Sequence, residues 1–418
     1  MTKPWTVAER CRGCGDTWLA PVFKIGDVRV HKFLDPNTTV QLPPPIPLEL
    51  IRCKGCGLVQ NSVTADRSLL YDEYWYRSGL NEANVSDLRE IVRYVETLVD
   101  LDNNDIVVDI ASNDGTLLDQ YSNKNLVTIG FDPAKNLEIE ARKREKFHYT
   151  ELFTAGGYKR DHTIKAKAIT AVAVLYHLED PVQFLTDVRL CLKDRGVFVA
   201  QVSYLPSMLE NNAFDSIGHE HIEHYTLSDL IVLFDKAGLT IVDARLGDMN
   251  CGTLRLTAVK EDFADEERFK FGLRRVDALI HYEESSDDIV GPPAWETFSK
   301  KVREVGNDLI QLLNGIRAEG KRVQVYGAST KGSILMDYYH IGLDLVESAV
   351  ERNPEKIGKV WFGPGLPVIS EEESRKNPPD YYLALPWHFR SGFLAREQET
   401  IKRGTKFIFP LPQVKVVG

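Results

Sequence analysis

The chain has 418 residues, more than a single hydrophobic core usually serves, so two or three domains are expected. Hydrophobic residues make up 43% and charged residues 27%, which is ordinary for a globular protein. The formal net charge of −10 gives no general electrostatic reason to bind nucleic acid or an anionic membrane, so neither partner is expected. Residues 1–12 carry charges and no apolar run, so a secretory leader is not expected, and no apolar run approaches the roughly 20 residues of a membrane span; both predict a cytoplasmic protein.

Four of the six cysteines form two Cys-x-x-Cys pairs: Cys11 with Cys14, and Cys53 with Cys56. In a reducing compartment this spacing favours a metal over disulfides. Each pair is a metal knuckle, a tight turn that presents two thiolates. Four thiolates close a tetrahedral site that suits structural zinc and leaves no open position for catalysis. Residues 1–75 are therefore predicted to be a zinc-binding module with a small sheet between the knuckles.

Strand-like and helix-like segments alternate over residues 76–260, which is typical of a parallel sheet covered by helices. The predicted strands are Ile106–Ile110, Leu126–Phe131, Ala168–Leu175, Gly196–Val202 and Thr240–Ala244. Residues 261–318 are charged and helix-like and are predicted to be a helical connector. Residues 319–418 begin a second α/β unit. The predicted fold class is α/β, with the zinc-binding module followed by two Rossmann-like domains.

A small-residue turn follows the first strand of the central domain, and an acidic residue, Asp132, ends the next strand. The turn lets the backbone approach a ligand, and the carboxylate of Asp132 can accept both hydroxyls of a ribose. The turn is not G-x-G-x-x-G and has no P-loop lysine, which disfavours a dinucleotide. The carboxylate of Asp109 favours a cationic ligand such as S-adenosylmethionine. An ordinary strand–turn–helix without a ligand is the alternative.

His177 follows the third strand and either contacts the cofactor or caps a loop. The residues predicted to contact the cofactor are Asp109, Ser112, Asn113, Asp114, Gly115, Asp132 and His177.

Four blocks of the sequence, in this order, resemble the sugar C-methyltransferases of deoxysugar biosynthesis. The blocks are the twin knuckles, Ser112-Asn113-Asp114-Gly115-Thr116-Leu117-Leu118, His219-Glu220-His221, and Tyr326-Gly327-Ala328 with Lys331-Gly332. The family methylates thymidine-diphosphate-linked 4-keto sugars at C3, and the resemblance covers essentially the whole chain. It implies that the central domain binds S-adenosylmethionine, that Tyr76 lies near the reacting centre, and that the C-terminal domain helps to hold the nucleotide sugar.

Two blocks depart from the family pattern. Tyr-His-Glu-His in the family is Gly218-His219-Glu220-His221 here, and His-Gly-Gly-Ser is Asn250-Cys251-Gly252-Thr253. Both changes fall where the resemblance places the substrate. They leave the cofactor assignment intact, and they leave open which sugar and which atom are methylated.

C-methylation beside a ketone requires a base for the α proton and a donor for the enolate oxygen. Histidine titrates near neutrality, so we predict His221 as the base, with Glu220 orienting it and His219 or Tyr225 as the donor. A polar turn without catalytic function is the alternative for these residues.

The predicted substrate-binding residues are Tyr204, Asn250, Tyr326, Gly327 and Lys331. Backbone amides at the start of a helix, together with Lys331, are predicted to bind the diphosphate. The alternative is that this segment is a degenerate copy of the cofactor domain that serves only packing. Three functions are compatible with the pattern: C-methylation of a nucleotide-linked keto sugar, O-methylation on the same scaffold, and non-catalytic binding of the same ligands. A monomer or a small homo-oligomer is expected.

Overall fold

The computed structural model describes residues 3–38, 43–71, 74–285 and 289–418. The N-terminal elements are β1 (Trp5–Val7), β2 (Leu19–Val28), β3 (Lys32–Leu34), β4 (Ile46–Cys53), β5 (Val59–Asn61), β6 (Val63–Ala65) and α1 (Arg67–Tyr71). Strands β2, β4 and β5 form an antiparallel sheet. Alternate residues of β4 are fully buried, among them Ile46, Leu48 and Leu50, because one face of this sheet packs inward. The predicted small sheet between the knuckles is therefore present.

The central elements run from α2 to β14. They are α2 (Glu82–Leu98), β7 (Ile106–Ile110), β8 (Val127–Phe131), α3 (Glu138–Ala141), β9 (Phe147–Tyr149), α4 (Ala155–Asp161), β10 (Ala166–Val172), α5 (Pro181–Cys191), β11 (Leu192–Ser203), α6 (Leu205–Glu210), β12 (Glu223–His224), α7 (Leu227–Lys236), β13 (Leu239–Gly247) and β14 (Thr253–Lys260). Local signals start several of these helices. Asp180, for example, caps α5 by accepting from the amide of Gln183, and Pro181 occupies the first helical position.

Seven of these strands form one sheet in the order β13-β14-β11-β10-β7-β8-β9. All neighbours are parallel except β14, which is antiparallel to β11 and β13. The predicted strands did not include β14. It is buried over seven of its eight residues although these include polar side chains. The guanidinium of Arg255, for instance, donates to Gln201, Glu90 and Asp87.

The remaining elements complete the C-terminal half. They are α8 (Lys270–Ser285), α9 (Pro292–Ala318), β15 (Val323–Tyr326), α10 (Thr330–Tyr338), β16 (Ala349–Glu351), β17 (Val360–Phe362), β18 (Leu366–Ser370), α11 (Glu371–Lys376), β19 (Tyr381–Ala384), α12 (Arg390–Arg396), α13 (Gln398–Lys402), β20 (Lys406–Phe409) and β21 (Lys415–Val417). The sheet order is β21-β20-β19-β15-β16-β18-β17-β3. Its five strands from β20 to β18 are parallel. No helix within the described ranges is long and apolar enough to cross a bilayer.

Two strands join one predicted domain to the sheet of another. Strand β3 of the N-terminal module pairs with β17 at the edge of the C-terminal sheet, and β12 of the central domain pairs with β5 of the N-terminal module. The predicted connector is likewise divided between two cores. Val276 of α8 packs into the core of the central sheet, whereas Phe298 and Leu309 of α9 pack into the core of the C-terminal sheet. The modules are therefore interlocked rather than strung in series.

Candidate active site

A cavity of about 740 Å³ lies where the carboxyl ends of the central and C-terminal sheets face each other. Its wall includes the residue directly after each of four strands, β7, β8, β10 and β15, and the last residue of β11. These residues are Ala111, Asp132, Ala173, Gly327 and Ser203. Ligands of open α/β sheets bind beyond the carboxyl ends of the strands, where the connecting loops can be shaped without disturbing the sheet. Both sheets therefore direct their ligand-binding edges at one space.

The turn after β7 bends sharply through two left-handed residues, Ala111 with φ 57° and Asn113 with φ 55°. The bend brings the amide of Asn113 to 2.9 Å from Oδ2 of Asp132, and the amide of Ala134 donates to Oδ1 at 2.9 Å. The carboxylate of Asp132 is thus held at the cavity wall, although burial raises its pKa. This is the position that the sequence predicted for a ribose-binding group.

Asp109 accepts from Oγ1 of Thr170 at 2.6 Å, and burial raises its pKa well above the ordinary value. Burial therefore disfavours the ionised form of this carboxyl group, which is the form that attracts a cation. The electrostatic argument for a cationic ligand at Asp109 is therefore weaker than the sequence suggested, although the residue lines the cavity.

The side chains of Asn113 and Asp114 bind another segment of the protein. Asn113 donates to the carbonyl of Tyr76 at 3.0 Å and accepts from the amide of Ser78 at 2.9 Å. Asp114 accepts from the amide of Gly79 at 2.9 Å. Two residues predicted to bind the cofactor therefore attach the segment 76–79 to the turn, and they place Tyr76 in the cavity wall. Asp114 and its neighbour Gly115 are not among the lining residues, whereas Ser112 is.

The His-Glu-His turn, residues 218–222, lies on the opposite wall. Nδ1 of His221 is 2.6 Å from the carbonyl oxygen of Ser216. A carbonyl only accepts, so Nδ1 carries the hydrogen and Nε2 keeps its lone pair. Burial lowers the pKa of His221 well below its ordinary value, so the ring is neutral at pH 7. The rings of Tyr176 and His177 pack against it, with centroids at 4.6 and 5.2 Å.

Glu220 also lines the cavity, and burial raises its pKa to about 7. No hydrogen bond joins its carboxyl group to His219 or His221 in the part of the chain that the structure describes. The predicted role of Glu220 as the group that orients His221 is therefore corrected, because the carbonyl of Ser216 performs that role. A carboxyl group that titrates near neutrality can instead donate or accept a proton itself.

Besides Asp114 and Gly115, three more predicted site residues lie outside the cavity wall. Nε2 of His219 is 3.1 Å from the carbonyl of Ile46, and the buried hydroxyl of Tyr225 donates to the carboxyl group of Glu223. The hydroxyl of Tyr204 donates to Glu283 at 2.7 Å. Their polar atoms connect structural segments, so His219 and Tyr225 are corrected as enolate donors and Tyr204 as a substrate ligand.

The other four predicted substrate residues, Asn250, Tyr326, Gly327 and Lys331, do line the cavity. Lys331 lies in the first turn of α10, and its Nζ donates to the carbonyl of Asn250 at 3.2 Å. The hydroxyl of Tyr326 is already bonded to two buried carboxyl groups, those of Glu371 and Glu397, so it is not free to bind a ligand. Gly327 has φ 90°, and a Cβ there would meet Pro386 at 2.7 Å, so only glycine fits this turn.

Among the cavity residues that were not predicted from the sequence are Asp215, Asn353 and His388. Asp215 accepts from Nε1 of Trp387 at 3.0 Å, and burial raises its pKa to about 6. These residues come from separate loops, and Asp215 and Trp387 are 172 positions apart. No local pattern reports such a contact, although the Pro-Trp-His sequence before α12 is an unusual cluster that could have drawn attention.

The four knuckle thiolates converge at one point. Their Sγ atoms lie within 4.8 Å of one another, with Cys11 to Cys56 at 3.5 Å and Cys14 to Cys53 at 3.6 Å. Four sulfurs at the usual Zn–S distance of about 2.3 Å form a tetrahedron with edges of about 3.8 Å. The cluster therefore has the donors and nearly the spacing that a tetrahedral metal ion requires.

The sheet order with one antiparallel strand, the bent turn after β7 and the carboxylate at the end of β8 define an α/β methyltransferase. A family model described as a methyltransferase domain matches residues 82–244. A second, described as a C-methyltransferase C-terminal domain, matches residues 248–412. C-methyltransferase NovU from Streptomyces niveus is 29% identical over 413 residues, which cover 98% of this chain and 97% of that protein. The chain therefore combines a methyltransferase domain with a C-methyltransferase C-terminal domain, and it is an S-adenosylmethionine-dependent methyltransferase.

Solved methyltransferase structures resemble less than half of the chain. Magnesium protoporphyrin IX methyltransferase from Synechocystis is 11% identical, with a TM-score of 0.35, over 43% of this chain and 84% of that one. An S-adenosylmethionine-dependent methyltransferase from Clostridium acetobutylicum is 15% identical, with a TM-score of 0.33, over 43% of this chain and 92% of that one.

Proposed function

We propose that the protein methylates the carbon beside the ketone of a nucleotide-linked keto sugar, at C3 of a thymidine-diphosphate sugar as in the family it resembles. The observation that carries this proposal is the state of His221. His221 itself lines the cavity wall. Burial favours the neutral ring, and Nδ1–H donates to the carbonyl of Ser216, which leaves a lone pair on Nε2. This is the form of histidine that removes a proton from carbon.

The cofactor-binding end of the cavity fits S-adenosylmethionine, which supplies an electrophilic methyl group when bound. Asp132 would accept the ribose hydroxyls, and the backbone of the turn from Ala111 to Asn113 would approach the methionine part. Tyr76 and His177 line the wall between this turn and His221. They would exclude water from the methyl group during transfer.

In the proposed reaction Nε2 of His221 takes the α proton, and the electron pair of that C–H bond moves into the enolate. The enolate carbon would then accept the methyl group that bound S-adenosylmethionine supplies, and the electron pair of the methyl–sulfur bond would remain on sulfur. Glu220, with a pKa of about 7, is available in its protonated form to donate to the enolate oxygen. This assigns to Glu220 the role predicted for His219 or Tyr225.

The diphosphate would lie at the start of α10. Ser329 caps this nine-residue helix by accepting from the amide of Gly332 at 3.0 Å, and Thr330 and Lys331 line the cavity. The helix N-terminus and the ammonium group of Lys331 both favour an anion. Lys356 lies on the same wall, but its Nζ is paired with Oε2 of Glu351 at 3.1 Å, so Lys331 is the cation that the proposal relies on.

We further propose that the four-cysteine cluster holds structural zinc. The donor set is all thiolate, and four protein ligands leave no position for water or substrate. The ion would therefore stabilise the N-terminal module rather than take part in the chemistry.

The test is incubation with methyl-labelled cofactor and a panel of nucleotide-linked keto sugars, followed by product NMR. A methyl singlet on a quaternary carbon supports the proposal. The absence of methyl transfer to every sugar in the panel would exclude it.

O-methylation is the second candidate, and the space beside Gly218 favours it. Among the described residues, its two chain neighbours aside, no atom lies within 4 Å of the position that a Cβ of Gly218 would occupy, and the residue lines the cavity. A hydroxyl group on a larger acceptor can enter this space. A methoxy signal in the product spectrum would identify this reaction.

A further inference from the structure

Asn61, the last residue of β5, binds both ends of the His-Glu-His turn. Its Nδ2 donates to the carbonyl of Gly218 at 2.9 Å, and its backbone amide donates to the carbonyl of Ile222 at 2.9 Å. The side chain is buried, with 1% of its surface exposed. One residue of the N-terminal module therefore fixes the span that carries Glu220 and His221.

The same strand is attached to the second metal knuckle. The amide of Cys53 donates to the carbonyl of Leu58 at 2.9 Å, directly before β5 begins. Strand β5 then pairs with β12, the strand that follows the His-Glu-His turn, through Val59 opposite His224. A continuous run of backbone hydrogen bonds thus leads from the cysteine cluster to the catalytic side of the cavity.

The first knuckle adds a second attachment through Arg12, the residue after Cys11. The amide of Arg12 donates to Oε1 of Gln60 at 2.9 Å. Its guanidinium donates to the carbonyls of Asn61 and Ile222, each at 3.4 Å. Both knuckles therefore hold β5 against the turn.

We infer that the metal module positions the catalytic turn and that Asn61 is the positioning residue through which it acts. The inference rests on the proposed role of His221. The bond from His221 to Ser216 selects the tautomer with a basic Nε2, and that bond exists only while the turn keeps its shape. A misplacement of about 1 Å in a reacting group can lower a rate about 100-fold.

The variant Asn61→Asp keeps the shape of the side chain but replaces the donating amide with a carboxylate that the carbonyl of Gly218 repels. Asn61→Ala removes the contact without adding charge. Asn123→Asp is the matched control. Nδ2 of Asn123 also donates to a backbone carbonyl, that of Leu101 at 3.1 Å, but it lies in the loop before β8, at the amino end of that strand.

The purified full-length variants are compared by zinc content and by calorimetric binding of S-adenosylhomocysteine. They are also compared by NMR with ¹⁵N-labelled histidine. In these spectra the signals of His221 are identified as those that the variant His221→Asn lacks. We expect zinc content and cofactor affinity to stay within about 2-fold of wild type in both Asn61 variants. The ¹⁵N shifts of His221 should move from the Nδ1–H tautomer toward a mixture, and kcat should fall about 10- to 100-fold with little change in KM. Asn123→Asp should behave as wild type.

Unchanged His221 signals in both Asn61 variants would overturn the inference. Loss of zinc or of the folded state in both variants would also overturn it, because Asn61 would then be a structural residue only. The NMR readout needs no sugar substrate. A failure of the wild type to methylate any nucleotide sugar would therefore count against the proposed function and leave the positioning role to be decided by the spectra.

Discussion

The ring of His221 donates from Nδ1 to the carbonyl oxygen of Ser216 across 2.6 Å. The two residues lie five positions apart, on either side of the glycine that begins the His-Glu-His turn. This contact fixes the tautomer of a neutral imidazole at the wall of the cavity. The chemistry proposed for the protein depends on that one orientation.

Replacing His221 with Asn should lower the rate of methyl transfer about 100- to 10,000-fold, which is the range that a positioned general base contributes. Binding of S-adenosylhomocysteine should change little, because the turn after β7 and Asp132 are untouched. Single-turnover kinetics and calorimetry measure the two quantities. His281→Asn on the exposed face of α8 is the control and should retain full activity. Near-normal turnover of His221→Asn would remove this residue as the base.

Glu220 should make stability depend on pH. Burial raises its folded pKa from 4.5 to about 7, so between these values the native state binds more protons than the unfolded state. Stability from this group is therefore lost as the pH rises through that window. Glu220→Gln should stabilise the protein relative to wild type more at about pH 8 than at about pH 5, measured by urea denaturation. Asp215 and Glu223 also have raised pKa values, but both residues are present in the wild type and in the variant. Their contributions to the pH dependence of stability therefore cancel in the comparison.

Asp132→Asn should weaken binding of S-adenosylhomocysteine about 10- to 100-fold, because hydrogen bonds to a charged group contribute about 1.5 to 3 kcal/mol. Asp132 now accepts hydrogen bonds from two backbone amides, those of Asn113 and Ala134. The side-chain NH2 group of the introduced asparagine would face one of them, donor against donor. Calorimetry measures the affinity. Asp119→Asn, at an exposed position of the same domain, should bind as wild type does. Equal affinities in the two variants would place the ribose elsewhere.

Cys53→Ser should abolish binding of the metal ion and lower the melting temperature. Wild type should contain about one zinc per chain by mass spectrometry, since four thiolates form one closed site. Cys191→Ala, a buried cysteine outside the cluster, should keep its zinc even if it melts earlier. Full zinc occupancy of Cys53→Ser would contradict the assignment of the cluster.

Gly218→Ala should leave the free energy of unfolding within about 0.5 kcal/mol of wild type, because the new methyl group meets open cavity. Gly218→Tyr should fill that space and reduce the affinity for a bulky acceptor more than the affinity for the cofactor. Gly252→Ala is the contrasting control: its φ is 120°, and a Cβ would lie 2.3 Å from Cβ of Ser207, so it should be strongly destabilised. Urea denaturation and calorimetry distinguish these outcomes.

Local patterns were sufficient for much of the fold. The buried strand at residues 106–110 lies where its apolar run predicted it, and the turn and acidic strand end that follow it occur in the cavity wall. The strand at residues 253–260 was missed, because its charged residue Arg255 is buried by partners such as Asp87 that are distant in sequence. A pattern of polar residues reports exposure only when no such partner exists.

The sequence by itself determined the α/β class, the spacing of the four thiolates and the residues of the cofactor turn, because each depends on neighbours within a few positions. Only the tertiary structure decided which polar side chains reach the cavity. Asn113 and Asp114 bind the segment that carries Tyr76, His219 binds the N-terminal module, and Glu220 is left facing the site. The direction of a side chain depends on which distant backbone groups require a hydrogen bond, and these partners meet only when the three modules pack together.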